Sequence, residues 1–230
     1  MLLDRDSFQR EGALLLEGAL SVMGVETYRK LLGATYRGAG QRLTQPKPAL
    51  LDAIMASGGL CSIASKLEGE PLRPVRLLLF DKSESVNWAV DWHQDRVLPL
   101  AREYSQPGFD RWTSKSGVPH VEPPSSLSER MVTLRVHLDD SGPTNAPLKT
   151  LPGSHQMGRL PVEAVAREVR RIRPVVHTAH TGDVLALKTL IVHASERAKE
   201  PQRRRVLHID FAPPDALPEG LDWSFSLPNN

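Results

Sequence analysis

The sequence has little cysteine and no long apolar run, and both shortages exclude whole classes of protein. Its single cysteine, Cys61, rules out an internal disulfide and a cysteine-rich metal site, and it fits a reducing compartment. No apolar stretch approaches the roughly 20 residues that a helix needs to span a bilayer. The first residues include Asp4 and Asp6, where a signal peptide carries basic residues. We therefore expect a cytoplasmic protein that does not bind membranes.

An excess of charge of one sign is also missing. The 29 basic and 27 acidic residues leave a net charge of +2, far from the basic excess of proteins whose main partner is nucleic acid. The chain is long enough for one domain with a sizeable core, and we expect residues 1–230 to form a single domain, as a monomer or homodimer. Its 19 prolines fall in clusters that divide the chain into short segments, which argues against an all-helical bundle.

The hydrophobic pattern separates a helical part from a β-rich part. Residues 1–70 are mainly helical in pattern, with a break at 12–18 that could form an early strand. Residues 74–212 contain short β-type runs, at 75–80, 131–138, 175–177, 184–193 and 206–211. This pattern predicts a mainly β sandwich or barrel with a helical layer.

Two further segments lie within the β-rich part. Pro161 opens a helix whose apolar residues share one face, and these are Val162, Val165, Val169 and Ile172. Residues 95–130 contain no convincing periodic segment, and a loop of this length in a compact domain is usually functional or disordered. Trp112, Lys115 and His120 lie there, where a substrate lid would lie, although local packing within the loop would account for them equally well.

Two potential metal ligands lie two residues apart in the segment 88–95. In an extended backbone, the side chains of His93 and Asp95 leave the same face, about 6.6 Å apart along the chain. Completed by one distant histidine, they would form a facial triad of two histidines and one carboxylate, which leaves three positions of an octahedral iron open. A lone His-x-Asp pair also occurs at surfaces and helix caps, so the spacing alone leaves both interpretations open.

His193 could supply the third ligand. It ends the apolar run 184–193, and a ligand at the end of a rigid strand is what a preorganised metal site requires. A buried core histidine with one hydrogen-bond partner is the alternative. Arg204 follows 11 residues later, and its planar guanidinium can bind a ligand carboxylate through two hydrogen bonds. The order of these residues is more informative than any one of them.

Several blocks of the sequence resemble the phytanoyl-CoA dioxygenase family of iron(II)- and 2-oxoglutarate-dependent oxygenases. The blocks follow the family's order and spacings, and they are residues 92–95, 131–140, 145–155 and 193–195, Arg204, and a weaker start at 8–12. The resemblance implies a mainly β fold, with a double-stranded β-helix (jelly-roll, cupin-like) core flanked by N-terminal helices. It also implies iron(II), 2-oxoglutarate and dioxygen as cofactor and co-substrates, and a small or medium-sized organic substrate.

The resemblance also implies roles for the residues of this chain that match the family's functional positions. The resemblance implies that His93, Asp95 and His193 bind iron, that Arg204 pairs with the distal carboxylate of 2-oxoglutarate, and that Ser195 makes a lesser contact. Halogenating members of the family have a small residue at the carboxylate position. The retained carboxylate therefore favours hydroxylation.

Two alanines depart from the family pattern, since Ala146 and Ala194 stand where glycine is usual. Ala146 would have to adopt a backbone angle that glycine accepts more easily. Strand alternation leaves Arg205 on the face opposite Arg204, and Arg203 as a solvated neighbour. Four other histidines are interpreted as structural, and they are His155, His177, His180 and His208.

The run 131–138 has one apolar and one polar face. Its polar residues are Thr133, Arg135 and His137. Such a face is usually solvated, but in a barrel-like sandwich it can line the cavity, which would make Arg135 a possible anion contact for the substrate.

Two other function classes remain open from the sequence. A jelly-roll binding protein could keep the fold without turnover, because a fold does not establish a function. A cupin-type metal hydrolase or isomerase would use the same three ligands but would not need Arg204. The basic residues are not gathered along the chain into a phosphate cradle, so nothing marks a CoA pocket.

Overall fold

The computed structural model describes residues 3–33 and 40–227 of the chain. The described helices are α1 (Arg5–Glu11), α2 (Val22–Leu32), α3 (Pro48–Met55), α4 (Leu60–Glu68), α5 (Ser125–Glu129), α6 (Val162–Arg171) and a short 3-10 helix (Ser154–Met157). The described strands are β1 (Ala13–Leu16), β2 (Gln41–Arg42), β3 (Arg73–Lys82), β4 (Val90–His93), β5 (Leu98–Pro99), β6 (Asp110–Lys115), β7 (Val118–Glu122), β8 (Val132–His137), β9 (Leu148–Thr150), β10 (Val175–His177), β11 (Val184–Lys188), β12 (His193–Ser195) and β13 (Arg204–Ala212).

The first two helices, α1 and α2, begin with a side chain that caps the helix. The Asp4 carboxylate accepts a hydrogen bond from the Ser7 amide at the start of α1, at 2.9 Å, and the Ser21 hydroxyl accepts one from the Gly24 amide in α2, at 3.2 Å. No single described helix is long and apolar enough to cross a membrane; α3 and α4, which meet at a bend of 48°, reach that length and composition only when taken together.

The strands form three antiparallel sheets. The largest has the order β1-β11-β8-β13-β3-β2, the second has the order β10-β9-β12-β4, and a small sheet has the order β5-β7-β6. The first two sheets pack through Leu148 of β9 and Leu185 and Leu187 of β11. The described residues form an open sandwich rather than a closed barrel, so the predicted jelly-roll fold is confirmed.

The two faces of β8 show how the core and the site are separated. Val132, Leu134 and Val136 are fully buried against the helical layer. Full burial of such a side chain contributes about 1.5–3 kcal/mol. On the opposite face, Arg135 and His137 are also buried, so the polar face does not contact solvent. It faces the space between the two large sheets.

The predicted strand 184–193 is wrong in one respect, because it is two strands. β11 ends at Lys188, and the chain turns before β12 joins the other large sheet at His193. Leu190, Ile191 and Val192 make this crossing while fully or almost fully buried. The apolar pattern therefore continues through the turn and conceals it.

The sequence predicted an irregular segment at 95–130, and this prediction is wrong. It contains β5, β6, β7 and α5, and the hairpin of β6 and β7 forms most of the small sheet. A register shift between Asp110 and Thr113, with Arg111 at a φ of 54°, interrupts the alternation on which a strand prediction depends. In α6, Val165 is buried as predicted, whereas Val162, the first residue, is 72% exposed.

Candidate metal and co-substrate site

Two histidines face each other across the strand pair β4 and β12. The register places His93 directly opposite His193, and their imidazole centroids are 4.3 Å apart. Asp95 follows β4 after one residue, so it reaches the same point from the end of the strand. One ligand atom from each of the three side chains lies within 4.8 Å of the other two. The structure thus brings the three predicted ligands together.

Backbone carbonyls orient both imidazole rings. Nδ1 of His93 lies 2.7 Å from the carbonyl oxygen of Asp91, and Nδ1 of His193 lies 3.0 Å from that of Ile191. A carbonyl can only accept, so each Nδ1 carries the proton and each Nε2 keeps its lone pair. Burial, and then the neighbouring His93, lowers the pKa of His193 to about 3. This ring is therefore neutral near pH 7, which is the form that binds metals.

Arg76 and His208 both contact the carboxylate of Asp95. Nη2 of Arg76 lies 3.4 Å from Oδ2 of Asp95, and Nε2 of His208 lies 3.7 Å from the same oxygen. Burial opposes ionisation, but Arg76 and the surrounding histidines hold the pKa of Asp95 well below its usual value. The group is a carboxylate across the physiological range.

A fully buried aspartate completes this support. Asp210 pairs with Nε of Arg76 and accepts hydrogen bonds from Thr133, at 2.7 Å, and from Nε2 of His208, at 3.0 Å. With its Nε2 proton donated to Asp210, His208 can accept at Nδ1 from Arg135, at 3.2 Å. His208, predicted to be structural, therefore connects Arg135 to the supports of Asp95.

Gln94 fixes the backbone between the first two ligands. Its Nε2 donates to the carbonyls of Gly158, at 2.8 Å, and Leu190, at 2.7 Å, and its Oε1 accepts from the amide of Leu160, at 2.8 Å. All the hydrogen-bonding groups of this buried amide except one carbonyl lone pair are used. The turn between His93 and Asp95 is thereby tied to two other loops.

Arg204 begins β13 and is almost fully buried. Its Nη1 donates to the Ser141 hydroxyl, at 3.3 Å, and to the carbonyl of Ala146, while its buried Nε has no partner among the described residues. Burial, and then Arg135, lowers the pKa of Arg204 to about 9, so the group stays charged near pH 7. As predicted, Arg205 points to the other face, where it pairs with Asp139 at 2.7 Å.

Ser195 lies on β12 beside a buried lysine. Nζ of Lys82 donates to the Ser195 hydroxyl, at 3.0 Å, and to the carbonyls of Trp88, at 2.7 Å, and Glu196, at 3.0 Å. Burial, and then Arg204 and Arg135, lowers the pKa of Lys82 to about 7. Because Ser195 accepts from Lys82, its own O–H remains free to donate.

A cavity of about 380 Å³ joins these groups. Of the residues that sequence reasoning selected, it is lined by His93, Asp95, Lys115, Arg135, His193, Ser195 and Arg204. Trp112 and His120 do not line it. Trp112 packs against the apolar cluster beneath the small sheet, and His120 is buried with Nδ1 2.9 Å from the carbonyl of Val118.

Sequence reasoning missed four side chains of the site, Arg76, Lys82, Gln94 and Asp210. One signal could have identified three of them. Arg76, Lys82 and Asp210 are charged residues in or at the end of strongly apolar strands, and a charge buried in such a strand requires a partner. The role of Gln94 depends on loops that are distant in sequence, so no local pattern marks it.

Solved structures match the chain over most of its length, although no curated protein sequence matches it. AviO1 from Streptomyces viridochromogenes Tue57 is 20% identical, with a TM-score of 0.67 over 93% of this chain and 95% of AviO1. SnoK, a non-haem alpha-ketoglutarate-dependent carbocyclase from nogalamycin biosynthesis, is 18% identical, with a TM-score of 0.69 over 91% of this chain and 82% of SnoK. EctD from S. alaskensis, crystallised with 2-oxoglutarate and 5-hydroxyectoine, is 18% identical, with a TM-score of 0.67 over 91% of this chain and 74% of EctD. At these identities the similarity shows a shared fold.

The family is shown by the sequence itself. A sequence profile of phytanoyl-CoA dioxygenase (PhyH) matches residues 8–206, which is most of the chain and includes the His-Asp-His cluster and Arg204. The chain therefore belongs to the phytanoyl-CoA dioxygenase family of iron- and 2-oxoglutarate-dependent oxygenases.

Proposed function

We propose that this protein uses dioxygen to hydroxylate a C–H bond of a small or medium-sized organic substrate. One oxygen atom enters the new hydroxyl group and the other enters succinate as 2-oxoglutarate is oxidatively decarboxylated to succinate and CO₂. We further propose that His93, Asp95 and His193 hold the iron(II). The observation that carries this proposal is the convergence of these three side chains in one cavity with a buried, incompletely paired guanidinium, that of Arg204.

The donor set fits iron(II). Two neutral imidazole nitrogens and one carboxylate form the facial triad of non-haem iron oxygenases and leave three coordination positions open. The Nδ1 hydrogen bonds to Asp91 and Ile191 fix the tautomer that ligation through Nε2 requires. When bound, the iron supplies the activation of dioxygen that is coupled to decarboxylation of 2-oxoglutarate.

Arg204 and Ser195 bind the distal carboxylate of 2-oxoglutarate in this proposal. The contacts of Arg204 to Ser141 and Ala146 hold its guanidinium plane in place, and its buried Nε can donate to an added acceptor because no described residue accepts from it. The free O–H of Ser195 donates to the same carboxylate. Such charge-assisted hydrogen bonds are about twice as strong as neutral ones.

Arg135 provides a second buried guanidinium for an anion in the cavity. It is 6% exposed on β8, its Nε has no hydrogen-bond partner in the described part of the chain, and its Nη1 contacts Nδ1 of His208 at 3.2 Å. We assign it to the co-substrate, whereas the sequence analysis considered it for the substrate. Asp95 occupies the position that is small in halogenating relatives, which supports hydroxylation as the outcome.

Anaerobic addition of iron(II) and 2-oxoglutarate tests the proposal. We expect a metal-to-ligand charge-transfer band in the visible spectrum of the wild-type protein, because 2-oxoglutarate would chelate the iron. His93→Ala, Asp95→Ala and His193→Ala should each abolish the band and the iron-dependent formation of succinate, since each removes one ligand.

His180→Ala is the matched control, because His180 is exposed and does not line the cavity. Its band should equal that of the wild type. Circular dichroism melting checks that each variant is folded. A wild-type protein without the band would favour a binding protein that has lost turnover, and full succinate formation in any triad variant would refute the ligand assignment.

A further inference from the structure

The cavity has more positive charge than the proposed function uses. Besides Arg204, six cationic side chains line it, and these are Arg42, Arg76, Lys82, Arg96, Lys115 and Arg135. The carboxylates in its lining are those of Asp95 and Glu122. Iron(II) and the 2-oxoglutarate dianion together add no net charge. Sequence reasoning found no such cluster because these residues are scattered along the chain and only the fold gathers them.

Most of these cations have a partner or a proposed role. Arg76 pairs with Asp95 and Asp210, Arg96 donates to the carbonyl of Leu160, and Lys82 donates to three oxygens beside β12. Arg204 and Arg135 are assigned to the co-substrate. Arg42 and Lys115 are the two lining cations to which the proposed function gives no role.

Neither Arg42 nor Lys115 has a carboxylate partner within residues 3–33 and 40–227. Among the described residues, no salt bridge involves either side chain, and the buried Nε of Arg42 has no hydrogen-bond partner. The lining carboxylate of Glu122 is instead paired with Arg159, at 3.1 Å. Residues 1–2, 34–39 and 228–230, outside the described ranges, contain no Asp or Glu, so they provide no side-chain carboxylate either.

The two cations line the same cavity as the metal ligands. Arg42 is on β2, opposite Leu78 of β3, and Lys115 ends β6 in the hairpin of the small sheet. Burial lowers the pKa of Lys115, and the charges of Arg42 and Arg76 lower it further, whereas Asp95 raises it. Burial and Arg76 likewise lower the pKa of Arg42, and Asp95 again acts in the opposite direction. Two cations that repel each other in a partly desolvated site would be stabilised by a shared anion.

We infer that Arg42 and Lys115 form an anion subsite for the primary substrate, which is a small organic molecule bearing a carboxylate or phosphate group. The inference rests on the proposed function, since it concerns the substrate of the same site. The cavity of about 380 Å³ must also hold 2-oxoglutarate, which limits the substrate to a small molecule. Arg42 and Lys115 line the same cavity as His93, Asp95 and His193, so the anionic group would bind in the cavity that contains the metal ligands.

Inorganic phosphate and acetate are the probes for a direct test. The protein is loaded anaerobically with iron(II) and saturating 2-oxoglutarate, and each anion is titrated by isothermal calorimetry. Arg42→Gln and Lys115→Gln should each weaken the better-bound anion by about tenfold, because each removes one charge-assisted partner of a partly desolvated anion. Arg42→Lys and Lys115→Arg keep the charge and should retain most of the affinity.

Arg203→Gln is the matched control, since Arg203 is an exposed cation outside the cavity and should leave the affinity unchanged. Binding of neither anion would overturn the inference, as would affinities that are equal in the wild type and both Gln variants, which would indicate an adventitious ion only. Affinity that falls in proportion to added 2-oxoglutarate would place the anion at the co-substrate site and would also overturn it.

A second measurement uses turnover. Small organic acids that stimulate consumption of 2-oxoglutarate should do so at least tenfold better than their methyl esters, on the order of the loss expected for one unpaired charge. Equal stimulation by acids and esters would contradict the subsite. The charge-transfer band of the wild-type protein is recorded in the same samples. Its presence without anion binding would refute this inference alone, whereas its absence would refute the proposed function.

Discussion

Arg204 is held in place by neighbours that do not neutralise its charge. Its contacts are a hydroxyl and a carbonyl, and no carboxylate of a described residue pairs with it. We expect Arg204→Ala to weaken 2-oxoglutarate binding by about 2–5 kcal/mol, the range for removing one partner of a buried charge pair. Titration of the charge-transfer band measures this, and iron affinity should change little because the metal ligands lie elsewhere.

Charge and geometry can be separated at this position. Arg204→Lys should restore only part of the affinity, since a lysine lacks the planar fork that binds both carboxylate oxygens. Arg203→Ala and Arg205→Ala control for a general loss of positive charge, because their partners are Asp81 and Asp139 outside the cavity. A larger effect at either neighbour than at Arg204 would contradict the assigned strand register.

The backbone conformation of Ala146 is unfavourable for an L-residue with a side chain. Its φ of 52° lies in the left-handed region, at the position where the family usually has glycine, and its carbonyl accepts from Arg204. The left-handed conformation costs an L-residue about 1–2 kcal/mol. Glycine loses about 0.4–1 kcal/mol more than alanine through chain entropy.

Ala146→Gly should therefore raise the free energy of unfolding, by up to about 1 kcal/mol. Urea denaturation measures the change. Ala101→Gly is the matched control, since Ala101 is an exposed loop residue outside the left-handed region and the same replacement there should be destabilising. Destabilisation at both positions would show that the lost chain entropy and the lost burial of the Ala146 methyl group outweigh the cost of its backbone angle.

At the scale of elements, Asp183 joins the turn before β11 to the end of β1. Its buried carboxylate accepts from the amides of Gly18, at 2.8 Å, and His180, at 2.7 Å. Asp183→Ala leaves both donors without an acceptor. We expect it to lower the free energy of unfolding by about 1–3 kcal/mol, because the two hydrogen bonds are partly buried and each contributes about 0.5–1.5 kcal/mol.

Asp183→Asn is the conservative comparison in the same urea experiment. Its amide keeps one oxygen, so it can satisfy one of the two donors and should lose about half as much stability. An Asn variant as unstable as the Ala variant would show that charge, rather than the number of acceptors, is what the turn requires.

Local sequence patterns were sufficient to predict some of the strands but not all of them. β1, β3, β8, β10 and β13 were predicted because each has an apolar pattern bounded by turn residues. The break at 189–192 was missed because residues that cross between two packed sheets are as apolar as a strand. The hairpin of β6 and β7 was missed because its stability comes from pairing, while most residues of β6 are exposed.

Across the whole molecule, buried histidines predict sensitivity to acid. Burial lowers the pKa of His120 to about 4 and that of His137 to about 3. In the unfolded chain a histidine takes up its proton near pH 6.5. Below about pH 6.5 the unfolded state therefore binds more protons, and stability present above that pH is lost as the pH falls towards 4 and 3. Each histidine contributes up to about 1.4 kcal/mol per pH unit within its window.

His137→Leu should reduce this slope, because neither ring nitrogen of His137 has a partner among the described residues and leucine suits the buried position. Urea unfolding followed by circular dichroism between pH 7 and about pH 4 gives the slope. His180→Leu, at an exposed histidine, should leave it unchanged. An unaltered slope in the His137 variant would mean that this ring is accessible to protons in the folded state.

The sequence by itself determined the fold class, the family and the order of the candidate ligands. Strand periodicity and the His93-x-Asp95 spacing are local properties, and the blocks around them follow one another along the chain. Arg204 could be selected in the same way from the run Arg203-Arg204-Arg205, because it lies at the family's distance from His193 and strand alternation separates it from Arg205.

Only the tertiary structure decided what surrounds those residues. Arg76 lies on β3, whereas His208 and Asp210 lie on β13, and all three support Asp95 because these two strands pair in the sheet. Arg76 and Asp210 are 134 positions apart in the sequence. Likewise, Arg42 and Lys115 come together only when the small sheet packs beside β2. Contacts of this kind depend on which strands become neighbours, and strand pairing is set by burial summed over the whole core rather than by any local pattern.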